Sequence, residues 1–367
     1  MPPSYQVERA APRAVRADLE RLWDANLTLE AHPADKFAWL YLEAPEPPAT
    51  VLVLRADGVA VGTAGVGLRR MQLGADRGRA GLLADLAVDK AHRSVGPALA
   101  LVRAGKALVD EELALAYGFP NKLAEGVFKR AGYKPLGTIA RYARPLRHAA
   151  FADRVDDATL ARVPAAARGA VTRALQVPAL VAVATRGLDV ATLMRAAPAT
   201  VRAMRRLQRI ELAMPDERFD ALWESARGAY AIVAERSARF LRWRFPPRPG
   251  RTWHLAIERA TGAPRAYAVT DVVDGLALVR DVFGHRDEVG ALLDRLPLAL
   301  YRAGAASLSM RYLGARWLTE ALVARGMVAR PSTRMIAVTV GASCPPAARA
   351  LIDDVEAWHL TDADEDV

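Results

Sequence analysis

Apolar positions along the first 145 residues switch between a strand-like period of two and a helix-like period near 3.6. YQVERA reads as a strand, and Val15, Leu19, Leu22 and Trp23 share one face of the helix that follows. VLVLRADGVAVGTAGVGLRRMQL predicts two strands around an Asp57–Gly58 hairpin turn. After the turn segment LGADRG, RAGLLADLAV predicts a further strand. From Gly96 to about Glu112 the pattern is helical, with Leu99, Val102 and Leu108 among its apolar positions. LALAYGF returns to strand, NKLAEGVFKRAG is a short helix closed by Gly132, and YKPLGTIARYARPL is one closing strand.

Residues 146–200 are alanine-rich and helical in tendency, with breaks expected at Pro164, Pro178 and Pro198. Residues 201–345 form a second mixed unit. It opens with a helix over ATVRAMRRLQRIELA and a helical segment around Phe219–Glu224, then has strands at TWHLAIER, APRAYAVTDVV and LALVRDVF. A helix from about Glu288 to Ala303, the strand SLSMRY, the helix RWLTEALVARG and the strand STRMIAVTV complete it. This order mirrors that of residues 1–145, an internal duplication visible in elements rather than identities. Residues 346–367 read as a C-terminal tail whose acidic end, DADEDV, is expected to fray.

The length of 367 residues accommodates two domains and a connector. An apolar content of 52% with 25% charged residues excludes collagen-like and wholly disordered chains. The single cysteine, Cys344, excludes a disulfide framework, and no two of the six histidines have helical zinc-site spacing, so no metal is expected. No apolar run is long enough to span a bilayer, and the charged N-terminal stretch lacks a signal-peptide core, so a cytoplasmic location is expected. The net charge of +10 is spread evenly between residues 1–150 and the rest, which disfavours a dedicated nucleic-acid domain. Its densest cluster, Arg202, Arg205, Arg206 and Arg209, reads as a solvated helix face, with a nucleic-acid or anionic-surface footprint as the alternative.

The chemistry-bearing stretch runs from Leu82 to Gly137. A strand ends at Val88, and a short loop leads through Arg93, Ser94, Val95, Gly96, Pro97 and Ala98 into a helix. Unpaired N–H groups of a first helical turn, with the helix dipole behind them, make an anion site. Gly96 allows close approach of a phosphate, Pro97 fits the first helical position, and Arg93 supplies a counter-charge. The loop has neither a Walker lysine nor GxGxxG, which argues against nucleoside triphosphates and NAD.

These residues resemble the GNAT (Gcn5-related N-acetyltransferase) superfamily, whose acyl-CoA loop R/Q-x-x-G-x-G/A is similar to Arg93–Ala98 here. The preceding strand with Val88-Asp89, the following helix, and GFPN…A…F-x-x-x-GY at Gly118–Tyr133 match as well. The resemblance covers roughly residues 5–145. It implies an α/β (α+β) fold of two GNAT-like domains: 1–145 binding acyl-CoA, a helical connector at 146–200, and a degenerate copy at 201–345. Each would be a mixed, mostly antiparallel twisted sheet flanked by helices, with a splayed parallel strand pair. The resemblance also implies acetyl-CoA or another acyl-CoA as co-substrate, its pantetheine arm along Leu86, Ala87 and Val88, and its diphosphate on Arg93, Ser94, Val95, Gly96, Pro97 and Ala98. Asp85 becomes the candidate base or positioning residue, against a strand-end hydrogen bond as the plain reading. Asn121 is placed at the cofactor arm, against a helix N-cap. Phe128 stands where many family members have an acidic tyrosine, leaving Tyr133 as a weak substitute.

In the second unit, Trp243 and Arg244 are candidate acceptor-pocket residues, with packing as the default. The expected function is N-acyl transfer to a primary amine of a small molecule, amino sugar or amino acid. This type of tandem protein is met among bacterial polysaccharide genes, by analogy only. The alternatives are a Fem-like aminoacyl-tRNA-dependent transferase and a non-catalytic acyl-CoA-binding scaffold.

Overall fold

A computed structural model describes residues 3–29, 31–46, 49–154, 169 and 177–366. The first sheet begins with β1 (Tyr5–Ala10), covered by α1 (Arg16–Asn26) and the short α2 (Pro33–Phe37). α1 buries Leu19, Leu22 and Trp23, each worth about 1.5–3 kcal/mol when fully removed from water. β2 (Thr50–Ala56), β3 (Val59–Leu73) and β4 (Asp76–Val88) continue the sheet antiparallel. The β2–β3 turn is the expected two-residue hairpin, with Asp57 at φ 48° and Gly58 at φ 86°. Next come α3 (Val95–Glu112), β5 (Leu115–Gly118) parallel to β4, α4 (Lys122–Arg130), β6 (Lys134–Thr138) and β7 (Ala140–Pro145).

The second half holds α5 (Pro178–Arg206), β8 (Leu207–Leu212), α6 (Glu217–Ala226), β9 (Ile232–Ala234) and α7 (Ala238–Arg244). Then follow β10 (Arg251–Glu258), β11 (Pro264–Val273), β12 (Leu276–Gly284), α8 (Arg286–Arg302), β13 (Ser307–Gly314) and α9 (Arg316–Ala324). The chain ends with β14 (Val328–Arg330), β15 (Met335–Val340), α10 (Pro346–Ile352) and β16 (His359–Leu360).

Two mixed sheets result, in the orders β1-β2-β3-β4-β5-β15-β6 and β14-β7-β13-β12-β11-β10-β8, with β9 on β3 and β16 on β13. Each half lends a strand to the other. β15 inserts between β5 and β6, while β7 pairs with β13 and β14. The closing strand expected over 133–146 is therefore two strands on different sheets, parted at Ile139. A shared apolar cluster seals the exchange, with Leu82 and Tyr117 packed with Ile336, Val338 and Trp358.

Three other expectations change. Pro198 does not break α5: it stands exposed inside the helix, at the cost of the one hydrogen bond its nitrogen cannot donate. Pro178 starts that helix, and the break expected at Pro164 lies outside the described residues. The helix expected to run through 207–212 is strand β8, so Arg209 lies on a sheet and not with Arg202, Arg205 and Arg206 on α5. The acidic C-terminal stretch does not fray: Asp364 and Glu365 are fully buried, because arginines scattered through the second half converge on it.

The duplication is visible in detail. β4 and β5 register over four residue pairs, Ala80 with Leu115 to Leu83 with Gly118; β12 and β13 do the same, Leu276 with Ser307 to Val279 with Met310. Both pairs then diverge. In the second sheet β16 pairs with the end of β13, and the His359 ring nitrogen Nε2 bonds the Val282 carbonyl at 2.8 Å. The second gap is thus filled by the chain itself, which gives the degeneracy of that copy a physical form.

Candidate functional site

Past Leu83 and Gly118, β4 and β5 have no registered pairs, and β4 runs on to Val88 bonded only to β3. Ladder alternation across Thr63–Ala87 turns the backbone groups of Leu86 and Val88 toward the open edge. Arg93 meets that edge, its Nε donating to the Val88 carbonyl at 3.1 Å. Phe128, buried, lies under the divergence: a Cβ built on Gly118 would be 3.0 Å from its ring and 3.3 Å from the Leu83 carbonyl.

The helix that follows opens as the spacing predicts. α3 starts at Val95, and Ser94 at its N-cap makes no side-chain capping bond. First-turn N–H groups therefore remain available to a ligand. A Cβ at Gly96 would meet nothing within 4 Å, so the mouth is open, while Pro97 is buried and Ala98 half-buried. Arg93 is exposed and carries its second bond to Asn26 Oδ1 at 2.9 Å, and among the described residues no carboxylate pairs with it.

Asp85 sits on a β-bulge, where Asp85 and Leu86 together face Ala64, with Asp85 at φ 54°. The bulge directs its carboxylate to the α1–α2 side rather than leaving it to simple strand alternation. There Lys36 Nζ lies 2.8 Å from Oδ1, and the Tyr41 hydroxyl donates to Oδ2 at 2.8 Å. Gly65 makes this possible, since a Cβ there would stand 2.0 Å from the Tyr41 oxygen. Burial raises the Asp85 pKa and nearby Asp366 adds to it, with Lys36 opposing. Burial works against the Lys36 charge, but Asp85 and Asp366 outweigh it and hold its pKa above the usual lysine value. Burial beside a carboxylate pushes the Tyr41 phenol well up, so it stays a donor.

Lys36, Tyr41 and the C-terminal segment have no local signal in the sequence. That segment reaches the site from the far end of the chain. Lys36 Nζ donates to the Asp366 carbonyl at 2.9 Å, and the Tyr117 hydroxyl to that of Asp364 at 3.2 Å. Glu365 lies fully buried with Arg311 at 3.3 Å and Arg334 at 3.1 Å, yet neither of its oxygens accepts a well-directed hydrogen bond. Burial outweighs the two guanidinium groups and pushes its pKa up to about 7. The folded chain then holds a proton that the unfolded chain releases near 4.5, so stability is expected to fall as pH rises from 4.5 to 7, by about 3 kcal/mol in all. Urea unfolding of wild type and Glu365→Gln across that range checks this: the variant should show a decline smaller by about that amount.

The remaining candidates fall as follows. Asn121 caps α4, its Oδ1 accepting from the N–H groups of Leu123 and Ala124 at 3.1 and 3.0 Å. The Tyr133 ring meets Phe128 edge-on at 5.1 Å, and its hydroxyl is enclosed without a partner. Burial raises that phenol, with Asp110 adding to it, which makes it a poorer acid. Trp243 stacks on Trp39 at 4.7 Å, and each indole N–H donates to the other residue's carbonyl, at 2.7 and 3.0 Å. Arg244 is buried and donates to the carbonyls of Asp362 and Ala363. Trp243 therefore joins the two halves beside the site, and the Arg244 guanidinium lies over the Trp39 ring at 5.4 Å. Among the described residues no cluster of His, Cys, Asp and Glu has the arrangement of a metal site, and no helix is long and apolar enough to cross a membrane.

Residues 15–133 match the acetyltransferase (GNAT) family model. Among solved structures, the chain is similar to a conserved protein of unknown function from Enterococcus faecalis V583, described as a probable N-acyltransferase. That match has TM-score 0.62 and 10% identity, over 92% of this chain and 73% of that one. It is also similar to GCN5-related N-acetyltransferases from Kribbella flavida (TM-score 0.59, 13% identity, 94% and 72% covered) and Anabaena variabilis ATCC 29413 (0.60, 11%, 92% and 73%). At these identities the likeness is one of fold. No curated protein matches the chain.

Proposed function

We propose, from the match of residues 15–133 to the acetyltransferase (GNAT) family model, that the protein moves an acyl group, acetyl first, from acyl-CoA to a primary amine of a small molecule, amino sugar or amino acid. The observation that carries this reading is the open gap between β4 and β5, continuous with the uncapped first turn of α3. Acyl-CoA supplies an activated thioester carbonyl when bound. Arg93 and the amides around Gly96 hold its diphosphate. Backbone groups of Leu86 and Val88 align the arm, and an N–H of the bulge faces the carbonyl oxygen as charge develops there.

Asp85 takes the proton that the acceptor ammonium must lose before its lone pair forms the C–N bond. Lys36 and Tyr41 fix the carboxylate for that task. The C–S bond breaks with its electrons on sulfur. Phe128 has no proton to give and the Tyr133 hydroxyl is enclosed, so the thiolate is reprotonated from water in the gap.

Titration calorimetry with acetyl-CoA tests the donor site. The double variant Arg93→Ala, Gly96→Asp places a carboxylate in open space at the mouth, so it is expected to fold normally and lose at least about 100-fold in affinity. Equal affinities would refute the assigned loop. Thiol release across a panel of amines then separates a transferase from a binding scaffold.

A further inference from the structure

α5 is built inside out. Its polar residues Thr185, Asp189 and Thr200 are buried. Asp189 binds His148 at 2.7 Å, and Thr200 donates to the Asp294 carbonyl of α8 at 2.9 Å. Its apolar side faces solvent. Leu180, Val183, Val190, Met194, Val201 and Met204 are between 46% and 72% exposed. With Gly187 and Ala197 they follow alternating steps of three and four residues, a single straight seam along the helix. A seam of this length on a protein surface marks an interaction site.

The charges beside the seam all have one sign. Arg186, Arg195, Arg202 and Arg205 are exposed and unpaired among the described residues, and the only carboxylate of α5, Asp189, points inward. Where the seam ends at Met204, a pocket of ≈ 330 Å³ continues it, lined also by Arg209, Arg295 and Arg302. Its one carboxylate, Glu211, is taken by Arg209 at 2.5 Å. A second copy of the chain would bring arginine against arginine across the seam, which disfavours self-association.

We propose that α5 lies on an anionic lipid bilayer, its seam entering the headgroup boundary while the flanking arginines and the pocket meet lipid phosphates. A convex apolar ridge edged by guanidinium groups suits a flat, negative, deformable surface, where the arginine stems reach the phosphates and the seam leaves water. The protein would dock along the surface without spanning it.

Vesicle flotation of the full chain tests this. The protein should float with phosphatidylcholine vesicles containing phosphatidylglycerol, fail to float with phosphatidylcholine alone, and detach at high salt. Val190→Glu with Met194→Glu, and separately Arg195→Glu with Arg202→Glu, should each weaken binding about tenfold or more with unchanged circular dichroism. No flotation, flotation indifferent to lipid charge, or flotation unaffected by either pair would overturn the proposal. So would sedimentation velocity showing a dimer that the Val190→Glu pair dissociates, or the capture of an acidic helical protein in place of vesicles.

Discussion

Arg236→Met is expected to lower the free energy of unfolding by about 3–5 kcal/mol, the cost of removing one partner from a buried ion pair. Arg236 precedes α7 and is fully buried. Its Nε donates to Asp281 of β12 at 2.9 Å, its Nη2 to Asp364 at 2.7 Å, and its Nη1 to the Ala234 carbonyl of β9 at 3.0 Å. Asp281 and Asp364 are themselves fully buried. Without the guanidinium, two carboxylates remain in the interior with only the hydroxyls of Tyr267 and Thr361 and the Thr361 N–H to satisfy them. Since domains are stable by only about 5–15 kcal/mol, the loss is a large share. Urea unfolding followed by tryptophan fluorescence measures it. Adding Asp364→Asn to the variant should recover part of the loss, because one stranded charge is gone. A loss below about 1 kcal/mol, with no recovery in the double variant, would mean that the C-terminal segment is held by its apolar contacts instead.

That segment marks the boundary of what the sequence makes legible. The strands and helices of the first half follow from local periodicity, and the open start of α3 follows from one loop, Arg93–Ala98, whose geometry is set within six residues. The strand-to-helix turn and the uncapped start of α3 therefore appear where the pattern places them. The exchange of β7 and β15 has no such local cause. Either strand would satisfy its own half by pattern alone, and only pairing in three dimensions selects the other sheet. DADEDV reads as a solvated tail because its counter-charges, Arg236, Arg244, Arg280, Arg311 and Arg334, are scattered over a hundred residues of sequence. Asp85 is visible as a carboxylate at the end of a strand. Its partners Lys36 and Tyr41 come from helical turns whose own pattern points to nothing but packing.

Those partners set the second large effect. Lys36→Met leaves the buried Asp85 and the partly exposed Asp366 as neighbouring carboxylates without the ammonium that now lies 2.8 and 3.8 Å from them. Burial already raises the Asp85 pKa, and the loss of Lys36 removes the main influence that opposes it. A carboxylate whose folded pKa lies above its unfolded value binds its proton more tightly in the native chain, so stability declines as pH rises through that interval. In the variant the interval extends upward. The destabilisation is therefore smallest at the acid end, where Asp85 keeps its proton, and grows to about 3–5 kcal/mol once it must ionise unpaired. Unfolding curves at successive pH values should diverge from wild type in the alkaline direction, and Lys36→Arg should restore most of the difference. Parallel curves between pH 5 and 8 would show that the Lys36 charge does not govern Asp85. Under the proposed reaction the same change reaches catalysis, because Asp85 accepts a proton only when ionised. The acid limb of kcat/KM for acetyl transfer should therefore move to higher pH in Lys36→Met, with acetyl-CoA affinity at the α3 mouth unchanged. That separation of proton uptake from donor binding distinguishes a base held by Lys36 from a carboxylate that merely braces the bulge.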